Sequence, residues 1–284
     1  MELQLIRPLN NNVVLAKDIK TGREVIAMGK GLGFSPGARG TLLDTHKVEK
    51  VFFFLDEAKH QQYFQLLKII DEDIIQVAEE IISIASHKLG SPLNEHIHLA
   101  LPDHIGFAIE RVKKGIEIPN LFLNEIQILY PEEYAIAGEA LRLIRERIGV
   151  ILPEEEQGFL ALHLYAARRN QPPKTILKHT TLIQKIINNI EKELGIAFQE
   201  GEIAYIRLVT HLKLALECIT SGKNPRNPLL DKIKTEFYDS YQLAIKLARI
   251  MEEELCCQIS EDEIGYLALH LQRLKVYSKL DKKL

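Results

Sequence analysis

One octad of this chain is written twice, with six of its eight positions identical. Glu156-Gln157-Gly158-Phe159-Leu160-Ala161-Leu162-His163 returns as Glu263-Ile264-Gly265-Tyr266-Leu267-Ala268-Leu269-His270, 107 positions further on. A match of that length and specificity exceeds what two unrelated helices share, so the chain contains a repeat. Another histidine stands 59 positions upstream of each octad histidine: His104 before His163, and His211 before His270. The same offset relates Ala108 to Ala215, Glu110 to Glu217, Gly115 to Gly222, Asn120 to Asn227 and Tyr134 to Tyr241. One register held without insertion over this span indicates a duplicated domain, because solenoid units recur every ~20 to 50 residues.

A unit of 107 residues matches the usual size of a single domain, and two of them leave an N-terminal remainder in a chain of 284. The expected boundaries are 1–56, 57–171 and 172–284, the second falling at Asn170-Gln171-Pro172-Pro173-Lys174, where each proline pushes its predecessor out of the α region and sets an extended link. Nothing approaches 18 consecutive apolar residues, and Met1-Glu2-Leu3-Gln4 lacks the features of a signal peptide, so a cytoplasmic protein without membrane insertion is expected. Cys218, Cys256 and Cys257 have no zinc spacing and read as idle thiols.

The remainder differs in character from the repeats. Residues 1–55 carry eight Lys/Arg against five Asp/Glu, whereas the rest of the chain is acidic. Leu3–Ile6, Val13–Ala16, Glu24–Met28 and Lys50–Phe54 are short β-like runs separated by turn residues, which predicts a small antiparallel sheet. So small a sheet buries little of its surface, and it is expected to dimerise. Between two of the runs lies Met28-Gly29-Lys30-Gly31-Leu32-Gly33-Phe34, and before another lies Asn10-Asn11-Asn12. Glycines allow close backbone approach, Lys30 supplies a cation, Phe34 a stacking face, and asparagines can read base edges. These are the parts needed to bind unpaired or bulged RNA, and equally the composition of ordinary turns.

The repeats are helical. Apolar residues at spacings of three and four mark Ile75–Ser86, His104–Arg111, Tyr134–Arg147 and Glu155–Arg168, and again Leu182–Leu194, Ile203–Ile219, Tyr241–Leu255 and Glu261–Leu274. Pro102 must either open the helix of His104 or lie within a longer one begun near Asn94. His163 shares its helix face with Phe159, Leu162 and Ala166, so each His pair belongs to an inward-looking stripe. Buried structural histidines, a metal site and a phosphoacceptor site all remain open on this pattern. A copied metal site would lose a carboxylate, because Thr210 stands where Asp103 stands in the first copy. No nucleophile elbow or paired-carboxylate constellation is present, which argues against an enzyme. Phosphorylation needs only a neutral imidazole that a donor can reach, and no cofactor.

Asn10-Asn11-Asn12-Val13, Gly29-Lys30-Gly31-Leu32-Gly33-Phe34 and Val48-Glu49-Lys50-Val51-Phe52 resemble the co-antiterminator RNA-binding domain of the BglG/SacY/LicT-type transcriptional antiterminators. Leu93 to His98, Asp103-His104-Ile105, Leu208 to Leu212 and both octads resemble the paired domains through which the sugar phosphotransferase system (PTS) regulates that family. The wording near Asn94 to Arg111 is most similar to glucose-type (GlcT) members. The resemblance implies a β-sheet RNA-binding domain followed by two helical-bundle domains, acting as a homodimer on a leader mRNA hairpin to block a terminator. It places Asn10, Asn12, Gly29, Lys30, Gly31 and Phe34 at RNA-contacting positions. His104, His163, His211 and His270 become phosphoacceptors, with Asp103 in support, and the implied partners are a PTS sugar transporter (EII) domain and the phosphocarrier HPr. Two alternatives are a metal-dependent helical hydrolase using the His pairs and a PTS-regulated DNA-binding activator.

Overall fold

The computed structural model describes residues 2–9, 13–29, 31–34, 39–48, 50–53, 70–199, 201–223 and 226–281. The chain opens as a four-stranded antiparallel sheet, β1 (Leu3–Pro8), β2 (Val13–Asp18), β3 (Glu24–Met28) and β4 (Lys50–Phe53), in the order β1-β2-β3-β4. Alternation decides which side chains meet: Leu3, Leu5, Val14, Ala16, Val25 and Ala27 share one face and form a core with Leu32 and Leu43. Each large aliphatic buried in this way contributes about 1.5 to 3 kcal/mol. The β1–β2 ladder shifts register between Leu5 and Arg7. Asp18 holds the β2–β3 turn by accepting from the Lys20 amide at 3.1 Å and the Thr21 hydroxyl at 2.9 Å.

The rest is helical: α1 (Glu72–Leu89), α2 (Ile97–Lys113), α3 (Leu123–Leu129), α4 (Pro131–Ile148), α5 (Glu155–Arg168), α6 (Pro173–Leu194), α7 (Ile203–Thr220), α8 (Leu230–Glu236), α9 (Tyr238–Leu255) and α10 (Glu261–Asp281). A small antiparallel sheet followed by duplicated helical regions is the expected architecture. By compactness the chain divides into residues 1–123 with 130–173, and residues 124–129 with 174–284. In the first unit α4 packs on α1 and α5, and α2 packs on α1 and α5. In the second, α10 packs on α7, α8 and α9.

Local differences from the sequence reading have physical causes. The short helices α3 and α8, seven residues each, leave too few turns for a periodic signal. Pro102 lies inside α2, five residues after its start, so the longer helix is the one that forms. The link before the second copy is shorter than expected: Asn170 takes a left-handed φ of 54°, and Pro173 already opens α6, where a missing N–H is harmless. Helix α4 ends on Gly149 at φ 77°, a conformation easy only for a residue without Cβ. At the matching end of α9 the residue is Cys256, left-handed at φ 53°.

Asn120 and Asn227 reveal a structural use of the repeat. Asn120 Oδ1 accepts from the Phe122 amide at 3.1 Å, and its Nδ2 donates to the Glu155 carbonyl at 3.3 Å. Asn227 repeats both contacts, accepting from the Leu229 amide at 3.0 Å and donating to the Asp262 carbonyl at 3.4 Å. Each asparagine therefore ties the loop in front of a short helix to the start of its octad helix.

Candidate functional site: two histidine pairs and a turn on the sheet

In the first copy His104 comes from the middle of α2 and His163 from α5. Their ring centroids are 4.7 Å apart with the planes tilted by 37°. Phe159, one turn before His163, meets His104 edge-on at 6.1 Å. The first residue of the octad completes the group. Glu156 Oε2 lies 2.9 Å from His104 Nε2, and Glu156 Oε1 accepts from Arg111 Nη2 at 2.6 Å. Both members of the Arg111–Glu156 pair are buried, which demands that each satisfy the other. A carboxylate can only accept, so His104 Nε2 donates to Glu156. Burial, with the nearby His104 and His96 charges, holds the His163 pKa down at about 3, so this ring is neutral at physiological pH. Its Nδ1 is buried without a hydrogen-bond partner among the described residues.

In the second copy His211 of α7 and His270 of α10 stack more closely, with centroids 3.7 Å apart and planes within 21°. Burial, and then the neighbouring His270, lowers the His211 pKa to about 4. Burial, and then Arg273, lowers that of His270. The electrostatic surroundings differ from those of the first copy. Glu263 occupies the place of Glu156, but Cys218 stands where Arg111 stands. Glu263 is buried with no ion pair among the described residues, and burial, with Asp262 beside it, raises its carboxyl pKa. Both copies thus present two imidazoles in contact, with burial lowering the pKa of His163, His211 and His270; among the described residues the first copy anchors one of its rings to a carboxylate and the second does not.

Asp103 is exposed and makes no hydrogen bond or ion pair among the described residues, so its part would be played toward a partner or not at all. His98 is buried, with Nδ1 2.8 Å from Glu79, and is a structural histidine. Sequence reasoning missed Glu156 and Arg111. The available signal was that the octad starts with a glutamate in both copies, at the head of the helix that carries the second histidine. No group of three or more His, Cys, Asp or Glu side chains converges as a metal site among the described residues.

On the sheet, Gly29, Gly31 and Phe34 form a tight turn after β3. The Leu32 amide donates to the Gly29 carbonyl at 3.0 Å, the Phe34 amide donates to the Gly31 carbonyl at 3.2 Å, and Gly31 adopts φ 69°. Phe34 is 74% exposed at the end of this turn, an open aromatic face that folding does not use. Asn10, Asn12 and Lys30 lie outside the described residues.

Comparison with known proteins assigns this anatomy to a family. Residues 79–167 and 184–274 each match the PRD domain, and residues 3–61 match the CAT RNA binding domain. The chain is 35% identical over 275 residues to "Transcription antiterminator LicT" of Bacillus subtilis (strain 168), covering 96% of this chain and 99% of the relative. It is 37% identical over 268 residues to the "PtsGHI operon antiterminator" of the same organism, covering 94% and 95%. It is 32% identical over 277 residues to the "Beta-glucoside operon antiterminator" of Dickeya chrysanthemi, covering 96% and 97%. Among solved structures, "Crystal structure of GlcT CAT-PRDI" is similar at 40% identity with a TM-score of 0.50, covering 59% of this chain and 99% of that one.

Proposed function

The chain belongs to the transcription antiterminators in which a CAT RNA binding domain precedes two PRD domains, and from that membership we propose that it is an RNA-binding antiterminator of a sugar-utilisation operon, switched by phosphorylation of its paired histidines. It acts in the cytoplasm as a homodimer on a leader mRNA hairpin and performs no catalysis of its own. No helix among the described residues is long and apolar enough to cross a membrane. The domains are 1–56 for RNA binding and 57–171 and 172–284 for control. Phe34 stacks on an unpaired base while Gly29 and Gly31 let the backbone approach, and Asn10, Asn12 and Lys30 supply polar and cationic contacts.

The observation that carries the regulatory half is the contact of two imidazoles in each copy, with burial holding His163, His211 and His270 toward the neutral form. A neutral imidazole nitrogen attacks the phosphorus of a donor phosphohistidine, and the new N–P bond forms as the donor's N–P bond breaks. The two rings exchange states, so no outside acid is needed. The donors are the phosphocarrier HPr and a PTS sugar transporter (EII) domain. On His104, a phosphoryl group adds about two negative charges to the ring that donates to Glu156. That added charge perturbs the link through Glu156 to Arg111, which joins α2 to α5, and communicates the signal.

Two measurements test this reading. The full chain is incubated with phosphocarrier and transporter domains, and acid-labile phosphate is mapped on His104, His163, His211 and His270; absence of phosphate from all four sinks the regulatory claim. Binding of the full chain to a leader hairpin is titrated against salt, where a steep fall in affinity is expected. A flat salt profile, or loss of no affinity on Phe34→Ala, would overturn the RNA site.

A further inference from the structure

The two copies carry the same cavity with different linings. In the first, a cavity of about 260 Å³ beside His163 is lined by His96, Ala100 and Ala166. In the second, a cavity of about 460 Å³ beside His270 is lined at the equivalent positions by Ile203, Arg207 and Arg273. Two alanines have become two arginines. Arg207 stands one turn before His211 on α7, and Arg273 stands one turn after His270 on α10, so the cations reach the cavity from both helices that supply the ring pair. Neither makes a hydrogen bond or ion pair with a protein carboxylate among the described residues. Glu202 also lines the cavity, and its Oε2 accepts from the Gln199 amide at 3.2 Å. Two guanidinium groups against one carboxylate leave the cavity net positive. A pair of arginines with free forks around a neutral imidazole is a donor set suited to tetrahedral oxyanions, which guanidinium groups bind bidentately.

We propose that this cavity of the second copy is a phosphoryl-binding site, in which Arg207 and Arg273 hold a dianionic phosphoryl group beside His270. The group has two possible sources, a free phosphate monoester and the phosphoryl group carried by His270 itself. The second source rests on the phosphorylation reading above; the first does not. A volume of about 460 Å³ exceeds what a bare phosphate fills and admits a small organic moiety against Ile203 and Leu208. The first copy, with alanines at these positions, has no such site.

The test uses the full-length protein and its Arg207→Gln/Arg273→Gln double variant, with Arg249→Gln as a control at another exposed arginine. In one arm, unphosphorylated protein is titrated by calorimetry with inorganic phosphate and with a hexose 6-phosphate. In the other, protein phosphorylated by the phosphocarrier is followed for the lifetime of phosphate on His270 and on His211. Binding that weakens about tenfold or more in the double variant alone identifies a free-ligand site, as two charge-assisted contacts require. A His270 phosphate lifetime that shortens about tenfold there, with His211 unchanged, identifies the carried group. Equal affinities and equal lifetimes in wild type and double variant overturn the proposal, even where His270 is shown to be phosphorylated. A positive first arm with no phosphate on His270 keeps the site and refutes the phosphorylation reading there.

Discussion

The first His pair is braced and the second is not. His104 is tied to Glu156, and Glu156 to Arg111, whereas Glu263 is buried with no ion pair among the described residues, and Cys218 takes the sequence position of Arg111. Duplication preserved what the packing of the octad helix requires: the small residues, the buried glutamate and the contact of two imidazoles. It did not preserve the charges around them. Ring pairing and electrostatic environment are thus separable, and the difference gives each copy its own response to added negative charge. The first copy answers by rearranging an existing ion pair. The second offers a cavity whose arginines are still uncommitted.

The sharpest way to break this contrast is to remove the brace. Arg111→Met leaves Glu156 buried without its cation and is expected to destabilise the first helical unit by about 3 to 5 kcal/mol, against within about 1 kcal/mol for Cys218→Ala at the equivalent place. Denaturant unfolding with hydrogen exchange resolved by helix distinguishes the two. Equal losses would show that the pair is not what separates the copies.

Acidification probes what the copies share. The depressed pKa values mean that the unfolded chain takes up protons where the folded one refuses them. Stability from these histidines is therefore complete above the ordinary value of 6.5 and is lost as pH falls, down to about 3 for His163 and about 4 for His211. Each contributes a slope of up to about 1.4 kcal/mol per pH unit within its window. His163→Gln should flatten the profile of the first unit and leave that of the second unchanged. A more modest effect is expected at the helix ends. Cys256→Gly should stabilise the second unit by about 1 kcal/mol, because it relieves a left-handed Cβ that the first copy avoids with Gly149. Thermal denaturation reads this directly.

The smallest effect sharpens the comparison most finely. Glu263→Gln should change stability by under about 1 kcal/mol at acidic pH, below the raised pKa of the carboxyl, where wild type also carries a neutral group. The variant should gain on wild type as pH rises through and above that pKa. Glu156→Gln should instead be destabilising throughout, because Arg111 loses its partner.

Much of this architecture was legible in the sequence because it rests on local composition, helical spacing and a repeat held in register. Short runs of β-branched and aromatic residues between turn residues gave the strands, spacings of three and four gave the long helices, and a fixed offset brought out the histidine pairs. What escaped were contacts between residues with no common period. Arg111 and Glu156 meet across 45 positions from different helices, and nothing in either helix's own pattern announces the other. The short helices α3 and α8 escaped because they are held by neighbours and by the asparagine ties, not by a stripe of their own. The arginines beside His270 were visible as letters and became meaningful only when the cavity aligned them with Ala100 and Ala166.

Gly265 shows what the octad protects. A Cβ there would stand 2.8 Å from Asn227 Nδ2 and 2.9 Å from Leu230 Cδ1, so the loop rests directly on helix backbone. This is a bearing surface without clearance. Enlarging it by one methyl group would lift the loop that starts α8 and tilt the seat of the helix carrying His270. A repeated glycine, chemically the most silent letter of the octad, is in this sense the gauge to which the spacing of two reactive rings is set.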